Sequence, residues 1–395
     1  MALTQTTRRS LLGGLAATGA LALRARAANA PQLPTSSVRL NIIDVAGNLQ
    51  LTQPAFEDYR KANPKLVSAI NFTKATAPEL PGKLKAQQAA GRVDIDMVLT
   101  GNDALAAGIA QDLWIKMYPD YASRLPDLNE VLLPGALKMQ ALAQNQGVCV
   151  SYCPGGPLLE YMPDMVKTPP KTSDELLAWA AAHNRQFIYA RPANSGPGRA
   201  FLMGLPYILG DNDPMDPDKG WDKTWAYLRQ LGKSIEYYPA GTGALMKELG
   251  EGSRSMTVTM TGWDINPRAL GVVPKEAKIG TLAGFHFVTD GHYMAVPKGV
   301  SNDRLAVLLD LMSFMLTPKA QAYAWDLGYF YPGPAVKNVP LSLAPPASQK
   351  AIQEYGRPEY AALLADTPQD PPLPAEKMVF AFQRWDQQIG ANVGK

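Results

Sequence analysis

An apolar strand that stops at Gly, Asn, Ser or Asp and passes directly into a helix start occurs at four points in this chain, and that recurrence limits the fold more than any other feature. The four points are Asp44 to Asn48, Gly101-Asn102-Asp103, Asn194-Ser195-Gly196 and Gly262-Trp263-Asp264. Strands alternating with helices predict an α/β architecture. Residues 38–45 alternate around Leu40 and Ile42 and predict a strand, followed by a helix opening at Thr52-Gln53-Pro54. Residues 93–100 predict a second strand ended by Gly101. Residues 187–190 predict a third, which feeds a helix that runs to Leu209. In residues 256–261, Met256, Val258 and Met260 alternate with three threonines, so one face is apolar and the other hydroxylated. Asn302 is expected to cap a helix to Leu316, Thr317-Pro318 to restart one, and a last helix to cover 375–389. Asp290-Gly291 predicts a turn.

The first 27 residues have the anatomy of an export signal. Arg8-Arg9-Ser10-Leu11-Leu12 precedes an uncharged run ending at Leu23, and Ala25-Arg26-Ala27 offers a small-residue cleavage site. The run is shorter than the roughly 20 apolar residues a bilayer crossing needs. The arginine pair resembles the twin-arginine type of signal, so a soluble periplasmic protein cleaved near Ala27 is expected, with no direct membrane insertion. Removal leaves about 365 residues, two ordinary domains or one large one. Of the 38 Lys+Arg, the four at positions 8, 9, 24 and 26 leave, so 34 face 35 Asp+Glu for a balance of −1. No basic tract remains, and nucleic acid is not an expected partner.

Catalytic signatures are missing. No His-Glu-x-x-His, Gly-x-Ser-x-Gly, Walker or Gly-x-Gly-x-x-Gly pattern is present, and three histidines leave few general bases. His183, His286 and His292 have no ligand spacing to Cys149 and Cys153, so no metal and no cofactor are expected. In an extended strand those two cysteines stand about 13 Å apart, too far for a disulfide, although a bend at Pro154-Gly155-Gly156 would bring them closer. In open α/β sheets, by contrast, ligands bind beyond the carboxyl ends of strands, where helix starts present free N–H groups. The four strand ends could therefore hold a small molecule with few reactive side chains.

Several stretches resemble the periplasmic solute-binding proteins of bacterial ABC importers, of the group that includes polyamine and ferric-iron receptors. They are residues 192–198, 168–177, Met294-Ala295-Val296-Pro297-Lys298-Gly299, 316–321 and Leu327-Gly328-Tyr329, and the resemblance covers essentially the whole mature chain. It implies the type II two-lobed fold, each lobe a mixed sheet flanked by helices, with the ligand in the cleft between. The lobes are expected at 38–148 plus 293–330 and at 149–290 plus 331–395, with crossings near 147–152, 290–293 and 329–334. It implies a non-catalytic, monomeric receptor that captures a small polar solute by hinge closure and delivers it to an inner-membrane ABC permease. An exported enzyme on the same frame is the rival. Asp44, Gly101, Asn102, Asp103, Asn194, Ser195, Gly196, Trp263, Asp264 and Tyr293 are the candidate ligand contacts. Trp263 beside Asp264 suits an amine, through ring face and carboxylate together. The first-strand aromatics of polyamine receptors are replaced by Val45-Ala46-Gly47-Asn48, and the adjacent tyrosines of ferric-iron receptors by Gly262-Trp263-Asp264. The Ser195-Gly196 helix start leaves open an anion such as a phosphonate or carboxylate, and a zwitterion would use both halves.

Overall fold

The computed structural model describes residues 30–392; the export signal expected over 1–27 lies outside them. Eleven strands follow in chain order: β1 (Val38–Asp44), β2 (Val67–Lys74), β3 (Met97–Thr100), β4 (Val148–Gly156), β5 (Leu158–Tyr161), β6 (Phe187–Ile188), β7 (Met256–Thr259), β8 (Lys278–Gly280), β9 (Phe287–Ala295), β10 (Gly333–Pro334) and β11 (Gln369–Asp370). They form two sheets. The larger is ordered β10-β4-β9-β3-β1-β2, with β11 beside β9, and the smaller β6-β7-β5-β8. The β1 strand pairs in parallel with β2 and β3, the arrangement that helical crossovers produce, whereas β9 is antiparallel to β3 and β4.

Each sheet has its own core. Leu40, Ile42, Met97, Val98, Val148, Tyr293 and Leu308 belong to the first, and Leu176, Phe187, Tyr189, Phe201, Trp225 and Trp385 to the second. One antiparallel pair runs along the boundary: β4 and β9 pair from Val148 opposite Met294 to Gly156 opposite Val288, with register shifts between Cys149 and Ser151 and between Cys153 and Gly156. Directly after Gly156, β5 enters the smaller sheet by pairing with β7, starting at Leu158 opposite Thr259.

Local chemistry explains where elements begin. The helix Leu49–Ala62 starts three residues before the expected Thr52, because the Asp44 carboxylate accepts the N–H groups of Asn48 and Leu49 at 3.0 and 2.9 Å. The β3 strand is shorter than the expected 93–100. Buried Asp96, which accepts the Asn41 N–H at 2.8 Å and pairs with Arg304 at 2.9 Å, precedes it. Ser301 rather than Asn302 is the N-cap of the helix Asn302–Met315. Asp290-Gly291 lies inside β9 and is no turn. Both cysteines are free and buried in β4, whose extended backbone keeps them apart.

Two expected lobe boundaries shift. The β10 strand pairs with Ser151 and Tyr152 of β4, and Ala335, Val336 and Val339 lie in the first core, so the chain stays with the first lobe beyond 331. The β4 strand likewise contributes Cys149, Val150 and Tyr152 to that core, past the expected boundary at 148. Gln321 fixes this return, its side chain donating to the Val150 carbonyl at 2.9 Å and accepting the Ala335 N–H at 2.8 Å.

The helix Ala375–Gln388 buries Met378, Ala381, Phe382 and Trp385, a single 3.6-period stripe, against the second core. Trp385 is 1% exposed, its indole N–H donates to the Tyr189 hydroxyl at 3.0 Å, and its ring meets Tyr238 edge-on at 4.8 Å. Trp385→Ala should therefore cost about 3–5 kcal/mol in urea unfolding. A cost below about 1 kcal/mol would mean that the last helix does not help to hold the second core.

Candidate functional site

The strand-end loops of both sheets converge on one cleft of about 210 Å3. From the first lobe come Ala46 and Gly47 after β1, Gly101 and Asp103 after β3, and Asp290 and His292 from β9. From the second come Asn194, Ser195, Gly196 and Arg199, the start of the helix Thr242–Gly250, and Met260 and Trp263 after β7. Tyr329 and Phe330 close one side. Gly47 has φ +75° and passes so close to the Tyr329 hydroxyl that a Cβ would sit 2.2 Å from it, so only glycine fits. Tyr329 packs at 5.1 Å from the Trp263 ring, and Phe330 stacks on His292 at 4.2 Å.

The charged part of the cleft is a triad. Arg199 places Nη1 3.0 Å from Asp103 Oδ2 and Nη2 2.6 Å from Asp290 Oδ2, and all three side chains are nearly buried. Burial works against the guanidinium charge, but the carboxylates of Asp290 and Asp103 more than offset it and its pKa is raised. Asp290 is held from its other side by the Asn102 amide at 2.7 Å. His292 is depressed below the ordinary histidine range, chiefly by burial, so it is neutral. Its Nδ1 meets the Asn48 side chain at 3.0 Å. Ser195 caps the helix Gly196–Leu209 by accepting the Gly198 N–H at 3.2 Å, a contact typically worth about 1 kcal/mol.

Six of the ten sequence candidates line this cleft: Gly101, Asp103, Asn194, Ser195, Gly196 and Trp263. Four do not. Asp44 is turned inward to accept the N–H groups of Ala46, Asn48 and Leu49. Asn102 supports Asp290 from behind. Tyr293 is fully buried, its single hydroxyl proton lying between two acceptors, Asn102 Oδ1 at 2.8 Å and the Met139 carbonyl at 2.9 Å. Asp264 is also fully buried and forms no indole–carboxylate corner with Trp263. Arg357 at 2.8 Å, Arg268 at 3.3 Å and the Tyr360 hydroxyl hold it. Sequence reasoning missed Arg199, Asp290, His292, Tyr329 and Phe330 as cleft residues. A lone arginine in the first turn of an otherwise apolar helix and a lone acid in the apolar strand β9 were the available clues.

A family profile described as bacterial extracellular solute-binding protein matches residues 55–354, and the chain belongs to that family. It is a binding protein rather than an enzyme. The fold is that of the two-lobed type II periplasmic binding proteins. A putative spermidine/putrescine ABC transporter protein from Listeria monocytogenes is 16% identical with TM-score 0.61, over 89% of this chain and 99% of that one. A GABA receptor is 18% identical with TM-score 0.62, over 89% and 97%. A periplasmic thiamin-binding protein is 15% identical with TM-score 0.62, over 91% and 99%. No curated protein sequence matches the chain. Among the described residues no cluster of His, Cys, Asp or Glu could hold a metal ion, and no helix is long and apolar enough to cross a membrane.

Behind the Trp263 turn, the Asp264 network includes one unusual acid. Glu160 on β5 is fully buried, and neither carboxyl oxygen has a hydrogen-bond partner. Burial, helped by the charge of Asp264, raises its pKa to about 8. The folded protein therefore keeps a proton on Glu160 that the unfolded chain loses near the ordinary glutamate value of about 4.3. That contribution to stability is complete below the unfolded pKa and fades as pH rises toward 8, at up to about 1.4 kcal/mol per unit. Glu160→Gln should remove this decline, so the variant gains on the parent protein as urea unfolding is moved from acidic to mildly alkaline pH. Parallel pH profiles for the two proteins would show that Glu160 is ionised in the fold.

Proposed function

We propose that this protein captures a small, polar, amine-bearing solute outside the cytoplasm, by closing its two lobes, and delivers it to the membrane permease of an ABC importer. Family membership supports the receptor role. The observation that carries the amine is the pair Asp103 and Asp290 in the cleft wall, opposed by only one guanidinium and lying in the same cleft as the Trp263 ring. A carboxylate and an indole face attract an ammonium by charge and by the ring quadrupole. An anion finds less: both terminal nitrogens of Arg199 already hold carboxylates, and Ser195 already accepts the Gly198 N–H. Asp103 belongs to the first lobe and Arg199 to the second, so their ion pair supports hinge closure as the capture step. The export signal over 1–27, a periplasmic location and a monomeric state complete the proposal.

Thermal unfolding with monoamines, polyamines, amino acids, aminophosphonates, amine-free carboxylates and phosphonates, and sugars tests it. An amine-bearing ligand at a hundredfold its Kd should add about 2.7 kcal/mol of stability. Stabilisation by the anions or the neutral sugars alone would refute the amine reading. Trp263→Ala should weaken binding by about 1–3 kcal/mol if the ring faces the solute. Asp290→Asn should abolish binding of the same ligand, and an unchanged affinity in both variants would refute the site.

A further inference from the structure

The charge of the closed cleft defines its ligand more narrowly. Resting on the reading of the protein as an amine receptor, we infer that its solute is a monocation with an apolar or aromatic body, and neither a polyamine nor a zwitterion.

The ionised groups lining the cleft are Asp103, Asp290 and Arg199, which leaves a balance of −1. His292 adds no charge, because burial keeps its ring neutral beside Asn48. Two further acids stand behind the wall and are already answered by donors. Asp44 accepts three backbone N–H groups at the start of the helix Leu49–Ala62, and Asp326 accepts the Gln50 amide at 2.9 Å. A site closed away from water tolerates one opposite charge well and an excess of either sign poorly, since an unmatched charge forfeits its hydration with no partner in exchange.

One positive charge brings the closed cleft to neutrality. A diamine leaves a surplus +1 facing the Arg199 guanidinium. A zwitterion leaves −1, and its carboxylate can reach the Arg199 guanidinium only alongside the two carboxylates already held there. Met260, Trp263, Tyr329 and Phe330 supply the apolar part of the lining, beside the polar Asn194, Ser195 and Thr242, and they offer an apolar body one wall and its cation a ring face.

Four probes sharing one aromatic body separate the cases by titration calorimetry at neutral pH: para-methylbenzylamine, para-xylylenediamine, para-aminomethylbenzoate and para-methylbenzoate. The monoamine should bind about tenfold or more tightly than the diamine and the aminobenzoate, and the methylbenzoate should not bind. Equal or tighter binding of the diamine or the aminobenzoate overturns the monocation inference and leaves the amine reading intact. Binding of methylbenzoate alone overturns both, whereas binding of no probe overturns the monocation inference and leaves the amine reading to the thermal unfolding series. Arg199→Gln, checked for folding by its melting transition, converts the balance to −2 and should raise the affinity of the diamine relative to the monoamine by about tenfold. An unaltered ratio in a folded variant also overturns the inference, and the parent-protein comparison decides the case if that variant does not fold.

Discussion

The antiparallel pairing of β4 with β9 is the constraint on which the rest depends. Both strands belong to the larger sheet, and both lead at one end into the second lobe, so two of the crossings between lobes are held side by side by backbone hydrogen bonds. Successive side chains of a strand point to opposite faces. Asp290 and His292, two residues apart, therefore share the face that borders the cleft, while Tyr293 turns to the other and reaches Met139 and Asn102. The charge at the cleft floor and the depth of the first core are thus set by the alternation along one strand.

The same geometry explains how much of the site was legible in the sequence. The alternation of strands and helices pointed to an α/β fold, the resemblance to solute-binding proteins implied its two lobes, and the small polar residues at the strand ends pointed to Gly101, Asp103, Asn194, Ser195, Gly196 and Trp263. These residues lie in the short connections that follow β3, β6 and β7, so their place in the fold is local information. Arg199 sits inside a helix and Asp290 inside a strand, and they are 91 positions apart in the chain. Nothing short-range announces that pair.

Asp103 and Asp264 make the limit plainest. Each follows a strand and lies two residues beyond a glycine, and the local pattern does not distinguish them. Asp103 looks across the cleft to Arg199. Asp264 looks inward, where Arg357 and Tyr360, 93 and 96 positions later, meet it together with Arg268. Its work is to fix the turn that presents Trp263. Gly262, at φ +102° and packed against the backbone of Tyr329 and Tyr331, tightens the same turn. An acid beside an indole thus serves the indole without touching what the indole faces.

Arg199 has two physical consequences at once. It separates two buried carboxylates that would otherwise repel, and through Asp103 it ties the second lobe to the first. A solute shifts an open–closed equilibrium only by contacts that differ between the two states. Trp263 belongs to the second lobe and Asp103 to the first, so a cation touching both ring and carboxylate makes that double contact only when the lobes are together. On the proposed reading, closure and recognition of positive charge follow from the same pair of surfaces, with the Arg199 bridge setting how much charge the closed cleft can still accept.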